Sequence, residues 1–350
     1  MSVFSNPHFD NHEQVVFAAD PESGLKAIVA VHSTALGPAI GGCRAWHYAD
    51  EDSALADVLR LSRGMTYKAA MADVPFGGGK SVLMLGRDQK KTAGLLDALA
   101  RAIEGLGGRY VAGEDIGTTA ADMAQIRRGT RHVMGMPREQ GGSGDPSPMT
   151  ALGCFVSIQQ AVKHKLKTDR LSGVRVAVQG LGNVGMNLCR LLHEAGARLT
   201  VTDVIFDHVR LASERFGAQA LAPDAIVDAE VDLFAPCALG AVINARTVGR
   251  LKVAIVAGGA NNQLARPEDG SALHERGILY APDYVVNAGG MIQLAAERLG
   301  EAPAVVEARV RGIAARLGEV FLQSEREDKP PHIVADQLAE QRFRPGALAA

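Results

Sequence analysis

The sequence lacks any paired-cysteine pattern: Cys43, Cys154, Cys189 and Cys237 are far apart and form no CxxC. That argues against a disulfide framework or a structural zinc site, and no metal is expected. No stretch approaches the ~18 consecutive apolar residues of a membrane span. The opening residues, Met1 to Pro7, show no basic stretch followed by an apolar one, so no signal peptide is visible and a cytoplasmic protein is expected. Charge of one sign is missing too. The 37 Lys and Arg against 39 Asp and Glu leave a net charge of −2, and a polyanion binder needs clustered positive charge. The nearest basic cluster, Lys163-His164-Lys165-Leu166-Lys167, reads as a solvated helix end. Neither a nucleic acid nor a membrane is expected as a partner.

Glycine, in contrast, is abundant, at 39 of 350 residues against a usual ~7%, and it falls in short clusters. The length is about twice that of a common domain, so two domains are expected. In the first half, Val15–Ala18 and Ala27–Val31 read as strands with turn residues from Pro21 to Gly24 between them. Leu55, Val58, Leu59, Ser62 and Met65 recur at helical spacing, predicting a helix over about 52–72. Ser81–Leu85 reads as a strand, Thr92–Leu106 as a helix and Arg109–Ala112 as a strand. The breaker-rich segment from Gln140 to Pro148 predicts a hinge into a helix over 149–166, with Ser147 as N-cap and Pro148 at its first position.

From Gly173 onward strand and helix patterns alternate: Val174–Val178, Leu199–Thr202, Val231–Phe234, Val253–Val256 and Ile278–Ala281 read as strands. Such alternation implies a parallel sheet with helices on both faces. Within it, Val174–Val178 runs into Gly180-Leu181-Gly182-Asn183-Val184-Gly185 and then a helical pattern. This is a GxGxxG in strand–turn–helix context, in which the glycines let backbone approach a pyrophosphate at a helix N-terminus. Asp203 ends the next strand, 18 residues after Gly185. A carboxylate there accepts from ribose hydroxyls and repels a 2′-phosphate. No basic residue follows at Val204, Ile205 or Phe206, so NAD is favoured over NADP. A flavin protein or a methyltransferase reuses the same turn and remains an alternative at this point.

The preceding domain must then supply the chemistry. Lys80 follows Gly77-Gly78-Gly79 and precedes an apolar strand, and Lys68 lies near the apolar stripe of its helix. Burial lowers a lysine pKa, which is the condition for proton transfer near neutrality. Asp115 sits just beyond the strand at 109–112, where the crevice of an open α/β sheet places reactive groups. Singly, each feature also fits a solvated lysine or a flexible glycine loop.

Taken together these segments resemble a known family. They include Gly37-Pro38-Ala39-Ile40-Gly41-Gly42-Cys43-Arg44, Gly64-Met65-Thr66-Tyr67-Lys68, Gly77-Gly78-Gly79-Lys80 and Glu114-Asp115. Ser147-Pro148-Met149-Thr150, Ala235-Pro236-Cys237-Ala238-Leu239-Gly240, Ala260-Asn261-Asn262-Gln263 and Asn287-Ala288-Gly289-Gly290 complete the set. In order and spacing they are similar to the leucine/phenylalanine/valine dehydrogenase branch of the glutamate dehydrogenase superfamily, over nearly the whole chain. The resemblance implies an α/β fold of two domains. An N-terminal α/β substrate-binding and catalytic domain would span 1–146 and a C-terminal Rossmann dinucleotide-binding domain 147–325. A helical tail, 326–350, would pack back on the first domain.

The resemblance also implies roles. Lys68 would hold the substrate carboxylate, Lys80 would polarise the carbonyl and activate water, and Asp115 would shuttle a proton with the amino group. Gly41, Gly42 and Asn262 would adjoin the substrate. Thr150 and Asn261 would meet the cofactor near its nicotinamide half, Asn287 would line the cleft, and Cys237, Ala238, Leu239 and Ala260 would adjoin the cofactor. Cys43 stands where this branch usually has Thr, a near-isosteric exchange. A homo-oligomer is implied as well.

The related glutamate dehydrogenases carry a lysine where this sequence has Ile40. Burying a glutamate side-chain carboxylate there without a cation would cost several kcal/mol, so glutamate is rejected. The side-chain pocket candidates are Ile40, Gly113, Met291 and Leu294. Gly113 leaves room for a ring, which favours aromatic tolerance. Met291 and Glu114-Asp115 favour a leucine-preferring enzyme, the alternative. The expected reaction is reversible NAD-dependent oxidative deamination of an apolar L-amino acid to its 2-oxo acid and ammonia. Two other classes compete: a catalytically silent NAD-binding module and an NAD enzyme acting on a hydroxy acid. The retained Lys68, Lys80 and Asp115 argue against the first. The absence of a suitable histidine motif argues against the second.

Overall fold

The computed structural model describes residues 2–344, and contacts divide them into two units. One holds the described residues up to Asp145, Leu294–Glu301 and those from Ala339 on; the other holds Pro146–Gln293 and Ala302–Leu338.

The first unit opens with an antiparallel hairpin of β1 (Gln14–Asp20) and β2 (Leu25–Ser33). Next come β3 (Ala39–Trp46), α1 (Glu51–Ala72), β4 (Gly77–Met84), α2 (Ala93–Glu104), β5 (Tyr110–Glu114) and α3 (Ala120–Arg127). Asp50 caps α1 by accepting the Ser53 N–H, and acidic Glu51 and Asp52 occupy its first turn, where the helix dipole favours them. The sheet runs β1-β2-β4-β3-β5, with β3, β4 and β5 parallel and β2 antiparallel to β4. Side chains alternate between its faces. Cys43, Leu83, Tyr110 and Ala112 pack with Leu99, Ile103, Met123 and Ile126 of α2 and α3 in one core. Ile28, Ala30 and Val82 pack with Leu55, Val58 and Leu59 of α1 in another.

The glycine triplet belongs to β4, not to a loop ahead of it, so the strand expected over Ser81–Leu85 starts four residues earlier. Glycine carries no packing surface, which hides a strand in sequence. Its purpose here is close approach. A Cβ on Gly78 would lie 2.0 Å from the Thr66 nitrogen, so α1 rests on β4 only because that position is bare.

The second unit contains α4 (Ser147–Leu166), β6 (Arg175–Gln179), α5 (Asn183–Glu194), β7 (Arg198–Thr202), α6 (Phe206–Phe216) and β8 (Gln219–Ala220). It continues through β9 (Leu233–Pro236), β10 (Ile255–Val256), α7 (Pro267–Glu275), β11 (Leu279–Tyr280) and α8 (Asp283–Val286). Helices α9 (Gly289–Leu299), α10 (Pro303–Arg311), α11 (Ile313–Glu327) and α12 (Pro331–Phe343) complete the described chain. Pro146 is the N-cap residue of α4 and provides no side-chain cap; Ser147, expected there, is already helical. Pro148 is tolerated because first-turn N–H groups have no intrahelical partner anyway. The sheet is parallel throughout, in the order β11-β10-β9-β6-β7-β8. The order reverses beside β6, and ligands of doubly wound sheets bind outside the carboxyl ends at such a point. The edge strand β8 has no signal in the sequence, since two exposed residues make no pattern.

Helix α9 contributes to both units. The Glu297 carboxylate accepts the Gly135 N–H at 3.1 Å, the Ser143 N–H at 2.8 Å and the Ser143 hydroxyl at 2.7 Å, drawing the end of α9 to the first unit. The end of α12 is drawn there too. Tyr67 donates to Glu340 at 2.5 Å, and the rings of Tyr67 and Phe343 stand 5.1 Å apart.

Candidate active site

In the first unit, Gly42 on β3 pairs with Gly113 on β5, and Cys43 pairs with Ser81 on β4. Lys80, Gly42 and Gly113 therefore share one row across three parallel strands, on the α1 side of the sheet. Asp115 follows directly on β5. The Lys80 Nζ lies 3.0 Å from Asp115 Oδ2, with Lys80 only 5% exposed. Gly42 makes this meeting possible. A Cβ there would stand 2.6 Å from Asp115 Cβ and 3.2 Å from Lys80 Nζ. The turn after β5 is pinned as well. Thr118 donates to the Cys43 carbonyl at 2.8 Å and accepts the Asp115 N–H at 2.9 Å.

Burial pushes the Lys80 ammonium below the usual lysine range, against the upward pull of Asp115. Burial alone would raise Asp115, but Lys80 and Arg44 outweigh it and hold the carboxyl below the usual range. The result is an ionised carboxylate against a lysine whose proton is easier to remove, a pair able to pass protons. Glu114, next to it, is pushed up by burial and by Asp145. Burial raises the Cys43 thiol to about 11, so it stays neutral.

Lys68 is half-buried on α1, two residues beyond the Thr66 that lies on Gly78. Ile40 and Gly41 lie on β3, Ile40 buried. A Cβ at Gly113 would meet only Met134 Cγ, at 3.6 Å, so that wall has room. Leu294 belongs to the first unit beside Gly135, whose Cβ would meet it at 3.5 Å. Met291 is buried and Asn262 exposed in the second unit, Asn262 with a left-handed φ of 52°. Sequence reasoning passed over Arg44, whose Nε donates to Asp115 Oδ2 at 2.9 Å. The signal was there: Arg44 is two residues from Gly42 and so on the same face of a strand. That strand was itself masked by its glycines. Glu297 and Met134 left no such signal.

The second unit fits a dinucleotide. Gly180 turns the chain with φ 95°, and a Cβ there would be 2.7 Å from that of Ala238. A Cβ on Gly185 would lie 2.0 Å from the Gly180 carbonyl oxygen, so α5 can close on the turn only without one. Before α5, Gly182 faces open space and provides no side-chain cap, leaving first-turn N–H groups, from Asn183 and Val184 on, for an anion. Asp203 Oδ2 accepts the Leu181 N–H at 2.6 Å and Oδ1 the Ile205 N–H at 2.8 Å. Each oxygen keeps a lone pair for a further donor. Burial would raise this carboxyl, but those two N–H groups and His208 hold it low. His208 Nδ1, 3.7 Å from Asp203 Oδ2, is a basic neighbour that the 204–206 stretch did not announce.

Around the other strand ends, Cys237 Sγ accepts the Gly259 N–H, Val184 packs where a Gly259 Cβ would stand, and Ala260 is buried. Leu239 is exposed. Asn287 donates to Asn261 Oδ1 at 2.9 Å, while its own buried Oδ1 has no partner, an acceptor waiting for a donor. Thr150 Oγ1 sits 2.7 Å from where a Gly290 Cβ would be. Among the described residues, no group of His, Cys, Asp and Glu is arranged to hold a metal, and no helix is long and apolar enough to cross a membrane.

Comparison with known proteins adds three kinds of likeness. The family model of the Glu/Leu/Phe/Val dehydrogenase dimerisation domain matches residues 12–132, and that of the glutamate/leucine/phenylalanine/valine dehydrogenases matches 141–205 and 200–310. The chain is 47% identical over 343 residues to a leucine dehydrogenase of Geobacillus stearothermophilus, covering 98% of this chain and 94% of the relative. It is 44% identical over 319 residues to a phenylalanine dehydrogenase of Lysinibacillus sphaericus, covering 90% and 84%. The crystal structure of L-tryptophan dehydrogenase from Nostoc punctiforme matches with a TM-score of 0.85 at 42% identity, over 96% of each chain.

Proposed function

The chain belongs to the glutamate/leucine/phenylalanine/valine dehydrogenase family, and on that premise we propose that it catalyses the reversible oxidative deamination of an apolar L-amino acid with NAD. The observation that carries this reading is the buried Lys80–Asp115 pair, 3.0 Å apart, with Lys80 midway along β4 and Asp115 just beyond the end of β5. Lys68 anchors the substrate carboxylate. Asp115 takes a proton from the substrate ammonium, so that the nitrogen lone pair can assist departure of hydride from Cα. The cofactor, when bound, accepts that hydride. Lys80 then activates a water that adds to the iminium carbon, and Asp115 returns the proton as ammonia leaves and the 2-oxo acid forms. One cation for the carboxylate and a separate acid–base pair at Cα is what such a sequence requires. A homo-oligomer in the cytoplasm is part of the same reading, and the match to a dimerisation domain supports the oligomer.

Reduction of NAD and of NADP against the standard L-amino acids tests the reading. Turnover of leucine, valine or phenylalanine with NAD, and not of glutamate, is expected; no turnover of any amino acid overturns it. Asp203 supports the choice of NAD, and Asp203→Ser combined with Val204→Arg narrows the preference by removing the repulsion and adding a phosphate partner. Equal wild-type kcat/KM with both cofactors would contradict that choice.

Side-chain preference turns on Gly113. The space beside it supports aromatic tolerance, with a leucine-preferring enzyme as the alternative. Gly113→Ala fits the fold, because its Cβ makes only an ordinary contact with Met134. An added methyl where a ring would reach costs ~1–3 kcal/mol. The variant is expected to lower kcat/KM for phenylalanine relative to leucine by roughly 5- to 100-fold. A ratio that stays put, or moves toward phenylalanine, removes Gly113 from the pocket.

A further inference from the structure

Two cations converge on one oxygen of Asp115. Lys80 Nζ at 3.0 Å and Arg44 Nε at 2.9 Å both reach Oδ2. A carboxylate oxygen offers two lone-pair sites, so Oδ2 is filled. Arg44 is held in turn from behind. Its Nη1 donates to Asp57 Oδ2 at 2.9 Å, the same oxygen accepts the Tyr48 hydroxyl at 2.8 Å, and Asp57 Oδ1 accepts from Arg60 at 3.0 Å. The Arg44 and Asp57 side chains are 17% and 16% exposed, so neither is a loose surface charge.

We infer that Arg44 is a positioning residue for the reaction: braced by Asp57, it closes the Oδ2 side of Asp115 and leaves Oδ1 to take and return the substrate proton. This rests on the deamination reading above. Arg44 also acts through its charge. It helps to hold Asp115 below the usual range and adds to the burial that lowers Lys80. The other ionisable groups near Asp115 do not compete for that role. Cys43 of β3 and Tyr110 of β5 are kept neutral by burial, and Asp122 of α3 is already paired with Lys91. Glu114 is pushed toward its neutral form, Tyr48 is raised by burial and by Asp57, and Arg60 is paired with Asp57.

Loss of a cation favours the protonated form of every neighbour. In Arg44→Gln, each limb of the kcat/KM pH profile set by Asp115 or Lys80 therefore moves to higher pH, by about one unit. kcat falls by about 10²-fold, as for a misplaced reacting group. Arg44→Lys keeps the charge but not the fork, so its limbs stay near wild type while kcat drops. Asp57→Asn frees Arg44 to leave Oδ2, so its limbs also move to higher pH, by less than in Arg44→Gln. A merely structural role would lower activity in all three with no such pattern. Limbs unmoved in Arg44→Gln, or a change confined to KM, overturn the inference.

A measurement independent of turnover separates this from failure of the deamination reading. In protein labelled with [γ-13C]aspartate, the Asp115 carboxyl resonance is identified by its loss in Asp115→Asn. Its titration midpoint is expected to rise in Arg44→Gln, and an unchanged midpoint overturns the inference even if no amino acid is turned over. Should Arg44→Gln fail to fold, the same resonance in Asp57→Asn is decisive: a midpoint that rises, as the unbraced Arg44 leaves Oδ2, supports the brace, and one that falls or holds overturns it.

Discussion

Lys80→Ala is expected to lower kcat by at least ~10²-fold, the scale of a lost acid–base group, with the dissociation constant for NADH nearly unchanged. The structure separates loss of chemistry from loss of fold. Removing one partner of a buried ion pair is usually severe, because the other charge is left unpaired. Here Asp115 keeps Arg44 at 2.9 Å, so its charge remains compensated. The proposed nucleotide cradle lies on other strands, in the second unit. Steady-state kinetics beside NADH fluorescence titration checks both halves. Activity within about tenfold of wild type would remove Lys80 from proton handling. A parallel loss of NADH binding would mean that the substitution had disturbed more than the reacting groups.

Gly42→Ala is expected to be as damaging, although it adds a single methyl group. Its Cβ would stand 2.6 Å from Asp115 Cβ and 2.7 Å from the Glu114 carbonyl oxygen. Backbone is involved, so side-chain rotation cannot relieve the clash. Either β5 shifts or the Asp115 side chain leaves Lys80. Overpacking of this kind costs ~1–3 kcal/mol in stability. The larger effect is on rate, because a displacement near 1 Å at reacting groups can cost about 10²-fold. Gly113→Ala, in the same row with only Met134 to meet, is the control for a folded sheet that tolerates a methyl. A Gly42→Ala enzyme with kcat/KM within threefold of wild type on its preferred substrate would show that Lys80 and Asp115 need not meet.

Where the sequence was informative, the information was local. Gly180, Gly182 and Gly185 join an apolar strand to a helical pattern, and Asp203 directly follows the next strand. The whole feature fits within one strand–helix–strand unit, so a linear scan contains it. Helix α1 was legible from its apolar spacing for the same reason. Missed elements had little local signal: the edge strand β8 is two exposed residues, while β3 and the start of β4 are diluted by glycines. Glu297 reaches Gly135 and Ser143 across 162 and 154 positions, a link that no spacing rule contains.

The sequence by itself therefore determined the inventory: an α/β chain with a dinucleotide turn, a carboxylate suited to ribose, two lysines and an aspartate in the order of an amino-acid dehydrogenase. Only the tertiary structure decided which of these groups meet. Strand β3 precedes β4 and β5 in the chain yet lies between them in the sheet, so Lys80 reaches Asp115 by crossing Gly42. The same order turns Arg44 onto Asp115 and, from behind, onto Asp57 of α1. Strand neighbours are chosen by which faces can bury apolar surface together, and that choice is made between segments, out of reach of any one of them read alone.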